Sequence, residues 1–233
     1  MSDLTIVLVH GAFAESASWA GVVPPLRAAG HTVVAVANPL RSLSGDAAAV
    51  SAVVREISGP VLLVGHSYGG AVISNASGDN VRGLVFAAAF APAQGESIAE
   101  LSGRLPGSTL GGTLHPVPLP DGSTDLYIRQ ELFPAQFAAD VPAAEAAVLA
   151  ATQRPLRDVA LNEASGPPSW PSLPSWFVFP DADLNIPVAM HREMAARAGA
   201  RDTVELAGAS HALTVSRPAE VAEVVLKAAA AVA

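Results

Sequence analysis

Val61-Leu62-Leu63-Val64-Gly65-His66-Ser67-Tyr68-Gly69-Gly70 is the stretch that decides the fold. Four aliphatic residues in an unbroken run suit a strand buried on both faces of a parallel sheet. A Gly-x-Ser-x-Gly follows at once, and Ser67 to about Ala76 reads as the next helix. A serine between strand and helix must occupy a strained turn that pushes its hydroxyl outward. Small residues at Gly65 and Gly69 let the two elements approach closely. The helix N-terminus adds a dipole that favours developing negative charge. Taken alone, the pattern also fits a glycine-rich turn with an incidental serine, so the rest of the chain has to decide.

On the N-terminal side, Leu4 to Val9 and Thr32 to Ala37 are similar apolar runs. Between the strands, Trp19, Val22, Val23 and Leu26 form one helical stripe, and Val50, Val53, Val54 and Ile57 form another. Gly30 and Gly59-Pro60 stand where these helices should stop, and Asp46 or Ser44 is placed to cap the second. On the C-terminal side, Gly83 to Phe90 reads as a strand. The alternation then lapses and resumes with strand Ser175 to Phe179, helix Val188 to Ala198, strand Thr203 to Leu206 and helix Pro218 to Val232. This order predicts an α/β protein built on a doubly wound, mostly parallel six-stranded sheet. The expected organisation is one domain, with residues 1–91 and 175–233 as core and 92–174 as a lid or cap insertion. The inserted region holds twelve of the nineteen prolines, with short helices expected at Pro134 to Ala139 and Pro142 to Ala151. Ala228 to Ala233 reads as the fraying turn of the last helix.

Composition narrows the chemistry. The formal net charge of -8, with no basic run, argues against nucleic acid as a partner. Without cysteine there is no thiolate nucleophile and no cysteine-ligated metal, so covalent chemistry needs another nucleophile. The longest apolar run, Leu84 to Pro92, is about half of the ~20 residues a spanning helix needs, so no membrane segment is expected. Asp3 stands where a signal peptide would carry positive charge, which reads as a cytoplasmic protein.

A serine hydroxyl becomes a nucleophile when a base takes its proton, and in this architecture the order is serine, acid, histidine. Of six histidines, His211 in Gly208-Ala209-Ser210-His211-Ala212 follows the last strand and returns to the sheet edge where Ser67 emerges. The loop after Phe179 offers two acids, Asp181 and Asp183, and spacing does not choose between them. The first strand delivers His10-Gly11-Ala12-Phe13 to the same edge, making the backbone N–H groups of Ala12 and Tyr68 the expected oxyanion donors. His10 and His66 read as supporting groups.

With these segments in place, the chain resembles the α/β-hydrolase superfamily over nearly its whole length. Within it, the sequence is similar to small bacterial hydrolases related to plant methyl esterases and hydroxynitrile lyases. The matching stretches are LVHGA at 8–12, AAGHTV at 28–33, VGHSYGG at 64–70, DLNIP at 183–187 and GASHAL at 208–213. The resemblance places the acid three residues before the Ile-Pro pair, at Asp183, with Asp181 as runner-up. It implies a Ser67–His211–Asp183 triad and needs no metal or organic cofactor. Hydroxynitrile lyases of the group carry a lysine after the histidine and a threonine at the oxyanion turn. Ala212 and Gly11 stand there instead, which argues against cyanohydrin cleavage. The expected activity is hydrolysis of a small, largely apolar carboxylic ester or lactone through an acyl-enzyme. Alternatives are a carbon–carbon bond hydrolase or perhydrolase with the same triad, and a small-molecule sensor of this fold with little turnover. Phe13, Trp19, Leu126, Tyr127, Phe133, Phe137 and Trp170 are candidates to line the substrate pocket.

Overall fold

A computed structural model describes residues 4–233. Asp3, on which the reading of the N-terminus rests, lies outside the described residues. Six strands form the main sheet: β1 (Thr5–Val9), β2 (Thr32–Val36), β3 (Val61–His66), β4 (Val81–Ala87), β8 (Ser175–Pro180) and β9 (Asp202–Leu206). Their order is β2-β1-β3-β4-β8-β9, and every pairing is parallel. The helices are α1 (Val23–Ala28), α2 (Leu43–Arg55), α3 (Tyr68–Asn75), α4 (Ile98–Arg104), α5 (Phe133–Phe137), α6 (Ala143–Thr152), α7 (Asp158–Asn162), α8 (Val188–Arg197), α9 (Leu213–Ser216) and α10 (Pro218–Val232).

Side chains alternate across the strands, so the sheet carries two cores. Val7, Val9, Leu63, Phe86, Phe177 and Phe179 face α2, α3 and α8, and Phe86 stacks on Phe177 with ring centroids 4.5 Å apart. Ile6, Leu8, Leu62, Val64, Val85 and Val178 face α1 and α10 on the other side. With both faces covered, apolar residues are needed at successive positions, which explains the unbroken runs in β1 and β3.

The structure revises several local expectations. The Trp19-to-Leu26 stripe is not one helix but a 3-10 turn at Ser16–Trp19 followed by α1. Pro24 and Pro25 have no N–H to donate and fit only in a first turn, so the α-helix has to start there. The cap of α2 is Ser42, whose hydroxyl accepts from the Gly45 N–H. Asp46 is instead buried inside α2. Strand β4 ends at Ala87 rather than Phe90, because Ala88 takes φ 44° and turns the chain away. The terminal alanines are helical, since α10 runs to Val232, and Ala228 and Ala229 are buried against the sheet.

Residues 92–174 contain α4 to α7 and a three-stranded antiparallel sheet of order β5-β6-β7, formed by Leu114–Pro118, Thr124–Ile128 and Leu156–Arg157. Only helical pieces are legible from the residues here. Pro116 and Pro118 disguise β5 as loop, yet proline is tolerated on an edge strand, and β5 is one. Apolar side chains from this segment, including Ile98, Leu101, Phe133 and Phe137, join the core cluster above the sheet. Among the described residues no helix is long and apolar enough to cross a membrane.

Candidate active site

Ser67 lies between the end of β3 and the first residue of α3, with φ 53° and ψ -123°. This is left-handed backbone on a non-glycine residue, a strained geometry held by its surroundings. The Ser67 carbonyl accepts from the N–H groups of Gly70 and Phe90, and the Ser67 N–H donates to the Ala87 carbonyl. Two close approaches explain the neighbouring glycines. A Cβ on Gly65 would meet the Gly69 backbone at 2.6 Å, and a Cβ on Gly11 would meet Ser67 Cβ at 2.5 Å and lie 3.2 Å from Ser67 Oγ. The β1 turn is thus pressed against the serine, which carries Ala12 and Tyr68 to the same cavity.

His211 stands in the loop between β9 and α9. Its Nε2 is 2.9 Å from Ser67 Oγ, and its Nδ1 is 2.7 Å from Asp183 Oδ2. Of the two acids in the loop after β8, Asp183 is buried and faces His211, whereas Asp181 is exposed and accepts the Gly208 N–H at 2.7 Å. Asp183 Oδ1 accepts from the N–H groups of Asn185 and Ile186, at 2.7 and 3.0 Å. Burial alone would push the Asp183 carboxyl up. The His211 charge and the hydrogen bonds from His191 and His211 overcome this and hold it well below the usual carboxylate range. It is therefore an ionised acceptor that fixes a proton on His211 Nδ1 and leaves Nε2 free to accept one from Ser67.

His191, on α8, brings Nε2 to 3.2 Å from Asp183 Oδ2 and stacks on Phe179. The same carboxylate oxygen thus accepts from two imidazoles. The signal was present in the chain, since α8 starts just past the acid loop, but only its packing under β8 aims the ring.

The other two histidines near the site brace loops. His10 Nε2 accepts the Asn38 N–H at 3.0 Å, and Nδ1 bonds the Gly11 carbonyl, tying the β1 turn to the end of β2. His66 Nε2 donates to the His211 carbonyl at 3.0 Å, tying the β3 end to the histidine loop. Tyr68 sends its hydroxyl away from the cavity to Asp46 Oδ2, at 2.9 Å.

His10, His66 and His191 share a consequence for stability. Burial lowers His10 to about 4, against the opposing bond to the Gly11 carbonyl. Burial, reinforced by His211, lowers His66 to about 3. Burial also lowers His191, despite its bond to Asp183. The unfolded chain binds protons at these positions below about pH 6.5, whereas folding shifts protonation lower at all three, well below that at His10 and His66. Stability is accordingly full above about pH 6.5. It is expected to fall by about 1.4 kcal/mol per pH unit for each of His10 and His66 between about pH 6 and 4, with His191 acting in the same direction. Urea unfolding at pH 7.5 and pH 5 measures this, and an unchanged midpoint would show that the rings are charged in the folded state.

A cavity of ≈ 30 Å³ adjoins Ser67 and His211 and is walled mainly by apolar side chains, among them Phe13, Phe90, Ile98, Leu110 and Leu156. Of the aromatic residues singled out from the sequence, Phe13 lines this cavity. It also lines a neighbouring one of ≈ 180 Å³, together with Phe133, Phe137 and His66. Phe137 packs edge-on against the His211 ring, with centroids 4.8 Å apart. Tyr127 lines a third, open cavity of ≈ 650 Å³ with His115 and Arg129. Trp19, Leu126 and Trp170 line none of the three. Trp19 is fully buried in the other core, because the 3-10 turn that carries it packs on the α10 side of the sheet. Trp170 donates its ring N–H to the Pro92 carbonyl. Among the described residues no group of three or more His, Asp or Glu is placed to hold a metal ion.

A model described as the Alpha/beta hydrolase family matches residues 6–224. Among solved structures, the chain is similar to polyneuridine aldehyde esterase, with 20% identity and a TM-score of 0.81 over 97% of this chain and 98% of that one. It is similar to the methylesterase MES16 from Arabidopsis, with 16% identity and a TM-score of 0.81 over 97% and 99%. It also resembles the pyrethroid hydrolase PytH, with 25% identity and a TM-score of 0.77 over 96% and 97%. A search of the curated proteins finds no match.

Proposed function

The chain belongs to the alpha/beta hydrolase family, and from that premise we propose that it cleaves a small, largely apolar carboxylic ester or lactone through an acyl-enzyme on Ser67. The observation that carries this reading is the unbroken hydrogen-bonded chain from Asp183 through His211 to Ser67 Oγ. His211 Nε2 takes the hydroxyl proton as Ser67 Oγ bonds to the carbonyl carbon, and the Ala12 and Tyr68 N–H groups stabilise the resulting oxyanion. As the tetrahedral species collapses, the ester C–O bond breaks and His211 returns the proton to the departing alkoxide. A water, deprotonated by the same nitrogen, then releases the acid and restores Ser67. Asp183 stabilises the imidazolium that forms in each half.

The apolar lining of the serine cavity favours uncharged substrates. Its small volume, about that of one water, supports a lid role for residues 92–174, which supply Ile98, Ser102, Leu110, Leu114, Leu156 and Leu161 to its wall. Substrate reaches Ser67 when that segment moves. The esterase and hydrolase names of the structural neighbours favour hydrolysis over carbon–carbon cleavage.

A panel of p-nitrophenyl esters of increasing chain length, run beside a β-diketone, tests the proposal. Turnover of the esters is expected, falling for charged acyl groups. Turnover of the diketone alone would replace the reading with carbon–carbon hydrolysis. Labelling of Ser67 by a fluorophosphonate without any turnover would replace it with a sensor.

A further inference from the structure

Two residues beyond the acid, Asn185 is 3% exposed and lines the cavity that holds Ser67 and His211. Its amide orientation follows from its neighbours. Gln136 is buried and donates from Nε2 to the Leu184 carbonyl at 2.9 Å, and a carbonyl can only accept. That settles which end of Gln136 is nitrogen. The same Nε2 donates to Asn185 Oδ1 at 2.7 Å, and the Thr109 hydroxyl donates to Gln136 Oε1 at 2.8 Å, completing a consistent network. Asn185 therefore has its oxygen committed to Gln136, while its Nδ2 has no acceptor in the protein.

An amide nitrogen buried without a partner is destabilising, and among mostly apolar walls it calls for an acceptor from a water or a bound molecule. Neither Gln136 nor Thr109 lines the cavity, whereas Asn185 does, and its unpartnered Nδ2 is the end of the amide not engaged by Gln136. The other polar side chains there, apart from Ser67 and His211 themselves, are engaged elsewhere: Tyr68 with Asp46, and Ser102 with the Ile98 carbonyl. No lysine or arginine lines the cavity to balance an anion.

We propose that Asn185 Nδ2 is a substrate-specificity donor, so that the preferred ester carries a second, uncharged acceptor oxygen close to the scissile carbonyl, of ether, hydroxyl or ketone type. This rests on the hydrolase reading given above and deepens it. A hydrocarbon ester of the same shape leaves the donor buried and unsatisfied, and sites built to pair a polar group reject such analogues.

The experiment uses two isosteric pairs in which one oxygen replaces one methylene: methyl 3-methoxypropanoate against methyl pentanoate on the acyl side, and 2-methoxyethyl butanoate against butyl butanoate on the alcohol side. In the wild-type protein the ether is expected to lead in at least one pair by about tenfold or more in kcat/KM. In Asn185→Leu that ratio is expected to invert. Asn185→Thr, which keeps a hydroxyl donor on a shorter side chain, is expected to retain part of it. Hydrocarbon preference in both wild-type pairs, or a ratio unmoved by Asn185→Leu, overturns the proposal while leaving ester hydrolysis standing. Absence of turnover on all four esters and on the nitrophenyl panel overturns the hydrolase reading and this inference with it. Because the wild-type comparison decides by itself, a variant that fails to fold does not protect the proposal.

Discussion

Ser67→Ala is expected to lower ester turnover by about a millionfold and to abolish covalent labelling by a fluorophosphonate, with thermal unfolding nearly unchanged. The size of the loss follows from the division of labour in the site. The oxyanion donors and the apolar cavity remain, so a residual rate above that of water persists, but no covalent route is left. The chain has no cysteine to substitute. Folding survives because alanine tolerates the left-handed backbone at position 67 no worse than serine does. The backbone bonds that hold the turn, from Gly70 and Phe90 to the Ser67 carbonyl, involve no side-chain atom. Intact-protein mass after labelling is the measurement. His211→Ala should also lose the label, since the hydroxyl then has no base. Full labelling of Ser67→Ala would move the nucleophile to another residue.

The second large effect is expected at Asp183. Asp183→Asn should reduce kcat by about 10⁴-fold, whereas Asp181→Asn should leave it within about threefold. The asymmetry comes from the four donors around Asp183. Two backbone N–H groups point at Oδ1, so an asparagine keeps its amide oxygen there and turns its NH₂ toward His211 and His191. His211 then presents an acceptor at Nδ1 and carries its proton on Nε2, the tautomer that cannot take one from Ser67. Asp181 only accepts the Gly208 N–H on an exposed turn, and an asparagine oxygen does the same. Rate profiles of the two variants on one nitrophenyl ester decide the matter. A comparable loss in Asp181→Asn would transfer the acid role or spread it over the loop.

These residues differ in how far the chain alone reveals them. The Ser67 turn is readable because its requirements are local: a buried strand, two small residues flanking a serine, and a helix that starts at once. The choice between Asp181 and Asp183 is not local. It depends on how the loop after β8 zips onto the β9 loop through the Asp181 and Ala182 N–H groups, which turns one carboxylate outward and the other under His211. Asn185 and Gln136 lie in separate segments, and neither position has a meaning until the chain folds them together. Trp19 shows the same limit from the other side, since an aromatic near the oxyanion turn looks like a pocket wall until the sheet face it covers is known.

The parallel α/β architecture and the strained serine turn proposed to hold the nucleophile are legible along the chain, because strand burial, helical period and the steric demands of one tight turn are written in neighbouring residues. Residue spacing leaves Asp181 and Asp183 open and the family resemblance points to Asp183; only the folded chain shows that this carboxylate faces His211, that a second histidine shares it, and that the Asn185 amide keeps an unpartnered donor. Those outcomes depend on contacts between distant segments, whose geometry is set by how sheet, helices and the 92–174 segment pack.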